Sequence, residues 1–102
     1  MLIRFRHMLW YAENVGGPQS LYARVEKVLE ASGIGRPDEP GFDRLVMDAE
    51  REFRIGLVEH GLDPAGYRIE FRHDELIGLV PWVVEPSGQS SELSAFQASR
   101  AK

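Results

Sequence analysis

Cysteine is absent from the 102 residues of this chain. That one absence removes disulfides, thiolate metal ligands and thiol nucleophiles together, and it suits a reducing compartment. Long apolar runs are missing too. Nothing approaches the roughly 20 residues that a membrane-spanning helix needs, and Arg4 and Arg6 interrupt the start where an export signal would be apolar. The expectation is a soluble, unexported, cytoplasmic protein. Positive charge is in short supply: 12 Lys and Arg stand against 16 Asp and Glu, for a formal net charge of -4. Proteins that live on phosphate backbones ordinarily carry the opposite excess, so bulk charge weighs against general nucleic-acid binding and leaves room only for a local basic patch. A phosphate loop is also lacking, because Gly16-Gly17 has neither the preceding strand nor the following lysine that such a loop requires.

What remains is ordinary globular composition, 43% hydrophobic and 27% charged, in a chain long enough for one modest core. The organising stretch is 42–60, FDRLVMDAEREFRIGLVEH. At 3.6 residues per turn, Phe42, Leu45, Val46, Ala49, Phe53, Gly56, Leu57 and His60 share one arc, the core side of a helix. The opposite arc ought to be polar, yet it carries Met47, Ile55 and Val58, with Arg44 and Arg51 among them. A helix apolar on two sides is either buried between two layers or meets a partner.

The other elements follow from period and punctuation. Residues 2–11 alternate with period two and predict a strand. From Pro18 to Ser32, Leu21, Tyr22, Val25, Val28 and Leu29 share one helical arc while Arg24, Lys27 and Glu30 point away, and Gly33 is placed to stop the helix. The stretch 34–41 holds two prolines and two glycines, so it is a connection. After a turn at 62–66, residues 67–73 alternate with Tyr67, Ile69, Phe71 and His73 inward and Arg68, Glu70 and Arg72 outward. Asp74-Glu75 reverses the chain into 76–84, LIGLVPWVV, a strand that must be an edge or end near Pro81, which cannot donate to a ladder. The expected architecture is α+β: a small antiparallel three-stranded sheet with two helices packed on one face, in the order β-α-α-β-β. Residues 1–86 form a single domain. Residues 87–102 are a polar tail or a short helix capped by Ser91, with Leu93 and Phe96 on one side.

Three constellations bear on function. If strands 2–11 and 67–73 share the sheet, Arg4, Arg6, Arg68 and Arg72 line its outer face with Trp10 near the end, an arrangement able to hold single-stranded nucleic acid by stacking and phosphate contact. His7 and His73 could meet across those strands beside Asp74, the minimum for acid–base chemistry, but their spacing matches no metal-ligand motif and supplies no third ligand. The third is the back of the helix at 42–60, where Arg44, Met47, Arg51, Ile55 and Val58 make a strip rich in residue types favoured at protein interfaces. No motif ties the chain to a family. The expectation is therefore a non-enzymatic, cofactor-free and metal-free protein–protein interaction module, such as an inhibitor, immunity or adaptor protein acting on a larger machine, of the kind phages and mobile elements encode. Its partner is another copy or a different protein. A nucleic-acid-binding domain is the alternative, and a small histidine-dependent hydrolase or ribonuclease stands behind that.

Overall fold

The computed structural model describes residues 20–100. The first element is α1 (Leu21–Ser32). The Ser20 hydroxyl accepts from the Ala23 backbone N–H at 3.1 Å, so the helix begins at its serine cap rather than at Pro18, which lies outside the described residues. Gly33 closes it with φ 69°, the left-handed conformation that a residue without a Cβ adopts at no steric penalty. Then comes α2 (Phe42–Glu59), entered through Gly41 and left through His60. The imidazole Nδ1 of His60 donates to the Gly56 carbonyl at 2.8 Å, satisfying one of the acceptors that a helix end leaves open.

Beyond the turn, β1 (Arg68–Asp74) pairs antiparallel with β2 (Gly78–Val84), placing Ile69 opposite Val83 and Phe71 opposite Pro81. The Asp74 carboxylate holds the reversal by accepting from the backbone N–H groups of Leu76 and Ile77 at 2.9 and 3.0 Å. The third strand is β3 (Ser90–Glu92), antiparallel to the other side of β2, and the chain ends in α3 (Leu93–Arg100). The architecture is α+β, with helices on one face of a three-stranded antiparallel sheet and a short C-terminal helix.

Two expectations change here. The expected strand at 2–11 lies outside the described residues, and the third strand of the described sheet comes from the stretch read as a tail or helix. Its physical basis is a tight hairpin. Glu85 N–H donates to Gln89 O and Gly88 N–H to Glu85 O, both at 2.8 Å, with Gly88 at φ 93°. The segment after residue 86 also enters the core, because Leu93 and Phe96 are buried.

Pro81 shows how a proline sits in the middle strand of a sheet. The Ile69 N–H turns away from β2 and donates to Glu50, while Glu85 N–H of the continuing β2 chain turns toward the β3 side. Backbone groups alternate along a strand, so the missing N–H of Pro81 also faces the β3 side. There β3 has already ended, at the pair Trp82 with Glu92. The proline occupies a local edge, and no ladder bond is lost.

The core lies between the helices and the inner sheet face. Leu21, Val25 and Leu29 of α1 meet Leu45, Ala49, Phe53 and Leu57 of α2 over Ile69, Phe71, Leu79 and Val83. Phe53, Tyr67 and Phe96 form an edge-to-face triad with centroids 5.9–6.2 Å apart, which welds α3 to α2 and the start of β1. At the other end Phe42 stacks edge-on against Phe71 at 6.3 Å.

Candidate functional site

The strip on α2 is where the structure concentrates unexplained apolar surface. Met47, Ile55 and Val58 are 66%, 42% and 59% exposed, while Leu45, Ala49, Phe53 and Leu57 on the facing side are buried. At about 100° per residue, Met47, Arg51, Ile55 and Val58 span about 80° of arc. The two arcs are diametrically opposed. The helix has one core side, and its second apolar side faces outward.

Arg44 and Arg51 flank this strip, 77% and 64% exposed, and both reach the same atom: Asp48 Oδ1, at 3.3 Å from Arg44 Nε and 3.2 Å from Arg51 Nη2. Two guanidinium groups thus share one carboxylate oxygen, which leaves a local positive excess and most of their N–H donors uncommitted. Beside them, where the end of α1 diverges from the start of α2, runs a groove of about 510 Å³ lined by Val28, Ala31, Leu45, Arg44, Asp48 and Arg51.

The sheet face is a weaker site than the sequence suggests. Arg4, Arg6 and Trp10 lie outside the described residues. Arg68, Glu70 and Arg72 do point outward together. Arg72, however, donates to Glu70 at 2.8 Å, lies 3.7 Å over the Trp82 ring and reaches Ser90 Oγ at 3.5 Å, so its charge and its planar face are both engaged. Across β2, Glu92 faces Trp82 and adds a second carboxylate to that face. The aromatic on the described part of the face is therefore Trp82, which sequence reading left unassigned within an all-apolar run.

His73 departs from expectation. Read as an inward residue beside aromatics, it is exposed. The reason is helix length: Phe42, which covers Phe71, is the first residue of α2, so the next inward position of β1 lies past the end of the helix layer. His7 lies outside the described residues. His60, placed on the core arc, is also exposed at the helix end. Among the described residues no group of three or more His, Asp or Glu is arranged to hold a metal ion, and no helix is long and apolar enough to cross a membrane.

Glu50 and Arg54 were legible only as an i,i+4 pair on an exposed face, and the structure gives them a second task. Glu50 Oε2 accepts the Ile69 N–H at 3.0 Å and Arg54 Nη2 donates to Tyr67 O at 3.0 Å, so α2 satisfies the outer edge of β1. No protein-family model, curated protein or solved structure matches this chain.

Proposed function

We propose that this chain is a small, cofactor-free protein–protein interaction module that docks a larger protein on the outward side of α2. The observation that carries this reading is the exposure of Met47, Ile55 and Val58 on one strip, opposite an arc already buried in the core. Fully burying an aliphatic side chain is worth roughly 1.5–3 kcal/mol, so three side chains left in water hold a reserve that association would release. Arginine and methionine beside aliphatic groups are the composition expected at the centre of such a contact. The sheet face offers less for a nucleic acid, since Arg72 is committed to Glu70 and Trp82. The test is affinity purification from the native host with the wild-type chain and with Ile55→Asp, followed by mass spectrometry. A protein retained by the wild type and lost by a variant of unchanged circular dichroism supports the reading. Identical sets of captured proteins would remove it.

A further inference from the structure

The partner's chemistry can be read from the charges around the strip. We infer that the partner presents an acidic amphipathic segment, whose carboxylate enters the α1–α2 groove between Arg44 and Arg51 while its apolar residues cover Met47, Ile55 and Val58. This rests on the docking reading above and narrows it.

The argument starts at Asp48. A single carboxylate oxygen holds two guanidinium groups, and the second cation is left without a full counter-charge. Glu52 also lines the groove, but Arg24 of α1 holds it at 3.4 Å. The described groove therefore carries a net positive charge, although the chain as a whole is at -4. Guanidinium groups bind carboxylates through paired, charge-assisted N–H bonds, and those two forks open toward one space. The apolar strip begins beside it, because Arg51 belongs to both surfaces. An incoming segment thus meets cations at one margin and aliphatic groups along the helix, which is the complement of a helix with an acidic edge and an apolar stripe.

A second copy of this chain fits less well. A symmetric α2-to-α2 contact would set the same arginine-flanked strip against itself around the two-fold axis, with like charges opposed near its centre. A different, acidic protein meets no such repulsion.

The probe is a phage-displayed library of random 16-residue peptides, panned on the immobilised full-length chain, with Ile55→Asp and the double variant Arg44→Gln/Arg51→Gln panned in parallel after circular dichroism confirms that each is folded. The inference expects enriched peptides that combine Asp or Glu with apolar residues at helical spacing. Synthetic versions should bind the double variant about tenfold more weakly or worse and weaken with added salt. Enriched peptides without acidic bias, or undiminished affinity for the double variant, overturn the acidic partner while leaving docking on α2 intact. Peptides that bind Ile55→Asp as well as wild type, or no enrichment over that variant, remove the docking reading itself. Sedimentation showing a dimer that Ile55→Asp dissociates would replace the acidic partner with a second copy.

Discussion

Gly56 stands where α1 and α2 approach most closely. A Cβ built there would lie 2.5 Å from Leu21 Cδ2 and 3.2 Å from Arg24 Cδ. Glycine inside a helix costs about 0.5–1 kcal/mol relative to alanine, and here the open space admits the Arg24 stem, which crosses to Glu52 and Glu59 on α2. Leu21 is fully buried and has no room to retreat. Gly56→Ala should therefore lower stability by about 1–3 kcal/mol despite its better helix propensity, measured by urea unfolding. An increase in stability would mean the helices can part without loss. His73→Ala should shift the same measurement by less than about 0.5 kcal/mol, because the side chain is exposed and no described partner depends on it. Asp74 behaves differently. Backbone N–H bonds from Ile77 and then Leu76 hold its carboxyl below the ordinary value of 3.8, with the neighbouring His73 adding to the shift against slight burial. A lowered folded pKa means that the support is whole above the ordinary value and is lost as pH falls through the lower, folded one. Amide exchange at Leu76 and Ile77 should accelerate in that acid window, and Asp74→Ala should remove the pH dependence along with the protection.

At the scale of elements, α1, α2 and the hairpin were open to sequence reading because each is defined by its own period and its own stops. Ile69 and Phe71 alternate, Leu45 to Leu57 recur at helical spacing, and Gly33 ends a helix that lacks a long-range reason to stop. The C-terminal segment was harder, since β3 is three residues of Ser and Glu, with no apolar period to read. Its signal was the Pro-Ser-Gly turn alone. Gln97 was invisible for another reason: its side-chain oxygen accepts the Leu21 N–H at 2.8 Å, a bond between residues far apart in sequence that no local pattern encodes. That contact ties α3 to the first turn of α1, where helix N–H groups lack intrahelical acceptors. Gln97→Leu preserves size and removes the acceptor, so a buried donor is left unmet and about 1–3 kcal/mol should be lost. Gln97→Glu, which keeps an acceptor in place, should lose less. Equal losses would show that packing rather than the bond fixes α3. Of the candidate site, the two-sided character of α2 was plain from residue spacing, and the convergence of Arg44 and Arg51 on Asp48 was not, because rotamers decide it.

At the scale of the molecule, one helix divides the structure into an inside and an outside. The inner arc of α2 closes the core with Phe53 and Leu57, and its edge residues Glu50 and Arg54 satisfy the exposed side of β1. That leaves Met47, Ile55 and Val58 with no part in the described fold. The central claim is that this side of α2 belongs to another molecule and not to the folded monomer. Urea unfolding of Ile55→Asp at low protein concentration, with Leu57→Ala as the comparison, tests it most directly. The account predicts a change within about 0.5 kcal/mol for Ile55→Asp and a loss of about 2–5 kcal/mol for Leu57→Ala. A loss at Ile55 comparable to that at Leu57 would place the strip inside the monomer's own core and contradict the claim.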